Sequence, residues 1–258
     1  MILFQPSIDP VAFSFGILDI RWYSLAYIVA FVIGSFLIKK FNNNSLKLLS
    51  NQEIDSFFIW AIIGVIFGGR LGYVLFYQLG QFINDPLYIF KIWTGGMSFH
   101  GGLTGMICSI FLFANKNKIN FFYLADLVSL VAPIGLFFGR IANFINTELY
   151  GRVTNFPLSM IYPTIDYLPR HPSQLYEAFF EGIVLFLILF LYFNKKQKKL
   201  NTGIVSGLFL TIYSIFRFLI ENIREPDLHL GLFFEYFSMG QLLSIPIFIL
   251  GAIILIKR

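Results

Sequence analysis

The sequence predicts an all-α integral membrane protein, a bundle of about seven transmembrane helices. Three observations lead there. Apolar residues make up 57% of the 258 positions and charged residues only 13%, against about 45–50% and 25% in a soluble domain. Mean hydropathy is +0.74, and apolar runs near the roughly 20 residues needed to cross a bilayer recur along the whole chain. The charge that is present lies mostly between those runs, on alternate connections. These features exclude a soluble globular enzyme and a disordered chain. They also exclude nucleic acid as a partner, because the net charge of +5 is spread between apolar runs. The single cysteine, Cys108, allows no intramolecular disulfide and no cysteine-rich metal site. It reads as a packed core residue.

The runs are 22–38, 56–79, 97–114, 121–141, 174–193, 203–223 and 239–256. The first is not a cleavable signal peptide. No basic residue precedes it before Arg21, and no small-residue cleavage site lies near Phe36-Leu37-Ile38-Lys39. Orientation follows from the connections. Lys39, Lys40 and Lys47 follow the first run, Lys116 and Lys118 the third, Lys195, Lys196, Lys198 and Lys199 the fifth, and Lys257 with Arg258 the last. Lys91, Arg152, Arg170 and Arg224 occupy the other side, with Arg21 at the boundary. Eleven positive residues against about five mark the first side as cytoplasmic. The N-terminus is then outside and the C-terminus cytoplasmic. Residues 1–258 read as a single transmembrane domain. The longest connection, 142–173, has four prolines and is expected to form a small irregular extracytoplasmic cap. The two halves show no internal repeat, which disfavours an inverted-repeat transporter.

Seven charged residues fall inside the runs: Arg70, Asp126, Arg140, Glu177, Glu181, Arg217 and Glu221. Each costs about 2.5–3.5 kcal/mol at mid-bilayer, so they should face one another or a wet cavity. Asp126, Glu177 and Glu181 are equally open to structural pairing. Glu177 and Glu181, four apart on one helical face, repel each other. They need cations from other helices, or one stays protonated. Tyr213, Arg217, Glu221 and Arg224 are spaced to form one stripe. Glu221 can hold one arginine there and leave another guanidinium free, and a purely structural salt-bridge stripe is the alternative. In Gly139–Gly151, Arg140 and Asn143 are helical neighbours, while Asn146 and Glu148 lie where the helix should end. One cation, two amides and a carboxylate can surround a phosphate and a neighbouring hydroxyl. All arginines except Arg258 lie in runs or outside, and the planar guanidinium fits phosphate in a way lysine does not. Gly95-Gly96-Met97-Ser98-Phe99-His100-Gly101-Gly102 sets a histidine among glycines that permit close backbone approach, which makes His100 a functional candidate. His171 and His229 are outside, and the histidine spacings suggest no zinc site. In His171-Pro172-Ser173, Ser173 is expected to cap the fifth helix.

Together these residues resemble the bacterial phosphatidylglycerol–prolipoprotein diacylglyceryl transferases. Gly139–Gly151 is similar to that family's signature at every position. Arg21-Trp22-Tyr23, Gly69–Tyr73, His100–Leu103, His171–Glu177, the block from Arg217 through Glu221 to Arg224-Glu225-Pro226-Asp227, and Ser238-Met239-Gly240-Gln241 resemble further family blocks, in order from the first run to the last. The segment from Gly151 to His171 looks shorter than in many members. The resemblance implies a multi-pass protein of the bacterial cytoplasmic membrane with its active site on the extracytoplasmic side. Its reaction would move the diacylglyceryl group of phosphatidylglycerol to the lipobox cysteine thiol in a preprolipoprotein signal peptide, releasing glycerol-1-phosphate. The family's essential positions carry over to Tyr23, His100, Arg140, Asn143, Glu148, Arg217 and Glu221. On this reading His100, Arg140 and Arg217 are catalytic. Tyr23, Asn143, Asn146, Glu148, Tyr213, Glu221 and Arg224 bind substrate. No metal or cofactor is expected.

The chemistry fits those residue types. The nucleophile is a thiolate supplied by the substrate, so the enzyme needs no cysteine of its own. Negative charge grows on the departing phosphate, and preorganised arginines stabilise such charge well in a poorly hydrated site. Proton transfer from a thiol near pKa 8.5 to an imidazole near 6.5 is uphill by about 2.7 kcal/mol. His100 is therefore a candidate base, or else orients the lipid headgroup. A transporter of an anionic lipid or other anion is the rival reading, and a structural subunit with buried ion pairs is a second. Release of glycerol-1-phosphate separates transfer from transport.

Overall fold

Helices occupy all seven apolar runs. The computed structural model describes residues 3–16, 18–196, 201–226 and 236–258. Lys198, Lys199, Asp227 and His229 lie outside the described residues. Three short strands come first, β1 (Leu3–Phe4), β2 (Val11–Phe15) and β3 (Leu18–Arg21). The helices α1 (Trp22–Asn44), α2 (Asn51–Tyr77), α3 (Leu79–Asn84), α4 (Phe99–Lys116) and α5 (Phe121–Ile145) follow. Two more strands, β4 (Met160–Ile161) and β5 (Pro169–Arg170), precede α6 (Ser173–Glu177), α7 (Leu185–Lys196), α8 (Ile204–Ile220) and α9 (Met239–Ile256). A π-helical segment, Ala178–Val184, joins α6 to α7, so Ser173–Lys196 is one rod.

Among the described residues, five helices are long and apolar enough to cross a membrane: α1, α2, α5, the Ser173–Lys196 rod and α9. The other two runs depart for physical reasons. Helix α8 is apolar but only 17 residues long. Helix α4 has 18 residues, and His100, Gly101, Gly102, Thr104 and Gly105 dilute its first half. The protein is a multi-pass membrane protein of the all-α class, with only short strands outside its helices among the described residues.

Local signals set the helix ends. Helix α2 starts at Asn51 rather than 56 because Ser50 and Glu53 form a reciprocal capping box. Ser238 and Gln241 do the same for α9, which starts at Met239 as expected. Ser173 does not cap the fifth rod. Pro172 holds that position, and the Ser173 hydroxyl donates instead to the Leu149 carbonyl at 2.7 Å. Helix α8 ends at Ile220, short of the expected 223, so Arg224 lies beyond it in a bridge to Gly151. Cys108 is exposed, not packed in a core. It misses the face on which Gly101, Gly105 and Ser109 meet α2.

The chain divides into two units, residues 41–125 and residues 1–40 with 126–258. In the first, α2 lies on α4 through facing glycines. A methyl on Gly64 would stand 2.6 Å from the Gly105 carbonyl oxygen, and one on Gly72 2.9 Å from Gly101 Cα. This is the small-residue packing by which membrane helices approach closely. Gly95 and Gly96 have φ of 77° and 85°, a left-handed conformation that favours glycine. Packing and turn geometry thus account for these glycines without reference to His100. Arg70, 2% exposed, is bound to the connection after α3. It donates to the carbonyls of Ile89, Gly95, Gly96, Tyr88 and Lys91 and to Thr94 Oγ1, and it stacks on Tyr88. Its role is to fold that connection.

In the second unit Asp126 also has a structural partner. Its carboxylate accepts from Gly203 N, Ser206 N and Ser206 Oγ at 2.6–2.8 Å, closing the start of α8. β2 and β3 form an antiparallel hairpin that leads into α1. β1, β4 and β5 form a three-stranded sheet in the order β1-β4-β5, so the N-terminal strand pairs with the segment expected to be the cap.

Candidate active site

The site is built on two carboxylates with fully buried side chains, Glu177 and Glu181. They flank the start of the π-helical segment of the Ser173–Lys196 rod, and such turns are frequent at functional sites. Leaving two carboxylates unpaired there would cost several kcal/mol each, and arginines from two other helices meet them. Arg140 of α5 places Nε 2.8 Å from Glu177 Oε2 and Nη2 3.4 Å from Glu181 Oε2. Arg217 of α8 donates from Nη1 to Glu177 Oε1 at 2.6 Å, with Glu181 Oε1 at 3.9 Å. Glu177 thus bridges both arginines. Its Oε2 lies at ion-pair distance from Arg140 but off the N–H axis, so that contact is Coulombic rather than a directed hydrogen bond.

Glu221, at the C-cap of α8, extends the chain of charges. Its Oε2 is 2.9 Å from Arg217 Nη2 and 3.5 Å from Arg224 Nη1. The stripe expected from spacing therefore exists as a shared carboxylate, although Arg224 is outside the helix. Three arginines thus face three glutamates in this chain of contacts. Tyr213, one turn before Arg217, stacks on Phe209 at 5.8 Å and lies within Coulombic reach of Glu181, Arg217, Arg140 and Glu177.

The end of α5 brings in the remaining polar groups. Arg140 Nη1 reaches Asn143 Oδ1 at only 3.5 Å. Asn143 Nδ2 donates to Glu148 Oε2 at 2.9 Å, and Asn146 Nδ2 to Glu148 Oε1 at 3.3 Å. The backbone turns sharply to allow this. Glu148 N bonds to the Asn143 carbonyl at 2.9 Å across Thr147, which has φ of 59°. That closure is a helix C-cap in which glycine is the usual residue. Leu149 has φ of 58°. Two side-chain-bearing residues in the left-handed region cost about 1–3 kcal/mol each and persist only when surroundings hold them. Gln5 donates to the Phe144 carbonyl at 2.6 Å and to Thr147 Oγ1 at 2.9 Å. Gln174 donates to the Glu148 carbonyl at 2.6 Å, and Tyr162 donates to Gln174 at 3.0 Å. The strain aims Glu148 back at the two asparagines.

A second set of contacts ties 150–152 to the end of α8. Glu225 N bonds to the Tyr150 carbonyl at 3.1 Å, and Arg152 Nε to the Arg224 carbonyl at 3.0 Å. Arg170 grips Asp166 at 2.7 Å and Glu225 at 3.1 Å and lies over the Tyr150 ring. The Arg170 guanidinium holds the Asp166 carboxyl below the usual carboxylate range. His171, beside Phe156 and Tyr176, is pushed below the usual imidazole value by burial.

Seven of the ten expected site residues therefore form one connected cluster: Arg140, Asn143, Asn146, Glu148, Arg217, Glu221 and Arg224. Tyr213 borders it. Tyr23 is half-buried in the first turn of α1, its ring 5.3 Å from that of Tyr27. His100 belongs to the 41–125 unit, exposed in the first turn of α4, its carbonyl accepting from Thr104 Oγ1 at 2.8 Å. Glu177 and Glu181 were noticed in the sequence but not assigned to the site, and they hold its two arginines. Their spacing, which demanded cations from elsewhere, was the signal.

In a membrane protein with helices long enough to cross a bilayer, α5, the Ser173–Lys196 rod and α8 converge on a buried arginine–glutamate cluster. A family model described as prolipoprotein diacylglyceryl transferase matches residues 10–257. The chain is 48% identical over 252 residues to a Rickettsia bellii protein, covering 98% of this chain and 96% of that one. It is 49% identical to a Rickettsia felis protein and 50% to a Rickettsia akari protein, each over 248 residues, 96% of this chain and 95% of the relative. All three relatives bear the name phosphatidylglycerol–prolipoprotein diacylglyceryl transferase. The chain belongs to the prolipoprotein diacylglyceryl transferase family.

Proposed function

We propose that the protein moves the diacylglyceryl group of phosphatidylglycerol to the lipobox cysteine of a preprolipoprotein, the first step of bacterial lipoprotein maturation. The substrate thiol gives up its proton, and its sulfur forms a bond to the glycerol carbon that carries the phosphate. The carbon–oxygen bond to that phosphate breaks, and glycerol-1-phosphate leaves with one more negative charge than the diester had.

The observation that carries this reading is the state of Arg140. Two of its nitrogens are engaged by Glu177 and Glu181, while Nη1 has only a long contact to Asn143. A phosphate oxygen taking that prong would gain a charge-assisted bond worth more than the one it replaces. The carboxylates keep the guanidinium oriented before substrate arrives, so little reorganisation is needed as charge develops. Arg217 serves as the second donor, with Glu177 and Glu221 holding it. Asn143, Asn146 and Glu148 address the headgroup hydroxyls, and His100 either accepts the thiol proton or orients the headgroup. The lysine asymmetry supports an extracytoplasmic position for this chemistry at the cytoplasmic membrane.

The test uses the purified protein, vesicles containing phosphatidylglycerol with labelled headgroup, and a lipobox peptide. Release of labelled glycerol-1-phosphate with a peptide thioether is expected. Unaltered lipid moved between leaflets would replace this reading with transport.

A further inference from the structure

Gly240 is the second residue of α9, in the block Ser238-Met239-Gly240-Gln241 that the chemistry above leaves unused. A Cβ built on it would stand 2.6 Å from Glu221 Cδ, 2.7 Å from Oε2 and 2.8 Å from Oε1. The Glu221 carboxylate thus lies flat against the backbone of the first turn of α9, where a side chain would otherwise be. That turn is fixed independently by the Ser238–Gln241 capping box, and Gln241 Nε2 donates to Asn222 Oδ1 at 3.1 Å, beside Glu221 in sequence. The end of α8 and the start of α9 are therefore locked together around one carboxylate.

We propose that Gly240 is a positioning residue: its missing side chain lets Glu221 stand where one oxygen reaches both Arg217 and Arg224. The reading rests on the transferase function proposed above. Relaxed carbon–carbon contact is about 3.5–4.0 Å, so a methyl at Gly240 would push the carboxylate away by about 1 Å. The obstacle is the far end of a flexible side chain, not backbone, so the helices need not part. The 2.9 Å contact to Arg217 and the 3.5 Å contact to Arg224 are what give way. Arg217 would then lean further onto Glu177, out of the orientation set from two sides.

The experiment is a double-variant cycle of Gly240→Ala with Glu221→Asp, which shortens the carboxylate by one methylene. Purified wild type, both single variants and the pair are compared by thermal unfolding and by labelled glycerol-1-phosphate release. Gly240→Ala should insert and fold, with kcat down at least tenfold and KM for the lipobox peptide little changed. In the pair, room returns for the carboxylate. Turnover should recover at least threefold over Gly240→Ala, and the unfolding midpoint should lie above the value expected if the two single losses added. Near-normal turnover in folded Gly240→Ala would overturn the proposal, and so would strictly additive losses in the pair. If Gly240→Ala does not fold, the pair decides: its recovery supports the proposal, whereas continued misfolding means that the methyl meets backbone. A wild type without transfer activity would remove the proposed reaction while the unfolding cycle still tests the contact.

Discussion

At Arg140 and Arg217 each guanidinium touches two or more buried groups, and lysine keeps the charge while losing the fork. A point charge cannot meet Glu177 and Glu181 as Arg140 does through Nε and Nη2. Losing one positioned donor costs about 2.7–4 kcal/mol of transition-state stabilisation, roughly 100- to 1000-fold in turnover. Arg140→Lys and Arg217→Lys should therefore insert, with turnover per folded molecule down at least about tenfold. Near-normal rates in both, by glycerol-1-phosphate release, would leave these arginines as helix ties only. Cys108 makes the opposite case. It is exposed on α4, and the acceptor thiol belongs to the substrate. Cys108→Ala should keep most activity; loss of turnover in a folded variant, with a diacylglyceryl adduct on the wild type, would mean a covalent intermediate. Residue chemistry was the most legible scale. The demand of Glu177 and Glu181 for cations was readable from spacing, but their choice of Arg140 and Arg217 required knowing which helices meet.

Two elements carry testable weight of their own. The α2–α4 contact depends on glycines whose replacement meets the backbone of the facing helix, joined at Gly64 by the Ser109 hydroxyl, so neither helix can yield locally. Overpacking of this kind typically costs about 1–3 kcal/mol. Gly64→Leu or Gly105→Leu should lower the unfolding midpoint sharply, whereas Leu103→Ala, on the exposed side of α4, should not. An equal effect from all three would remove the glycine seam as the reason. The second element is the 150–172 segment. His171 is held below its usual value by burial, so below about pH 6.5 the unfolded chain binds a proton that the fold resists. Stability from this group is complete above that pH and is lost as pH falls toward the depressed folded value. Asp166, depressed by Arg170, contributes above about pH 3.9 and fails only at lower pH. Cooling of the unfolding midpoint between pH 7 and pH 5 should thus shrink in His171→Phe, which keeps a ring beside Phe156 and Tyr176. An unchanged pH slope would assign the effect elsewhere.

At the scale of the whole molecule, the prediction concerns orientation. The lysines after α1, α4 and α7 and at the C-terminus all fall on one side if every run crosses. A reporter fused after Arg258 should be active only when its activity requires the cytoplasm, and one preceding residue 1 only outside. A C-terminal fusion reporting from outside would invert the topology and the face assigned to the site. Helix α8 is the span most exposed to this test. It has 17 residues, short of the usual length, and its end is taken up by the turn that presents Glu221 and Arg224.

The sequence by itself determined the class of protein, the positions of its helices and most of the residues of the cluster. Apolar run length, charge asymmetry and spacing along a helix are local properties, and they survive without knowledge of what packs on what. Tertiary structure alone decided the rest. It turned Arg70 and Asp126 from functional candidates into a loop hub and a helix cap, since only the fold brings carbonyls or amides to them. It assigned the glycines beside His100 to helix packing. It also put the N-terminal strand against residues 160–161 and drew Glu221 onto Gly240, because these pairings join segments far apart in the chain, and no periodicity records a partner that distant.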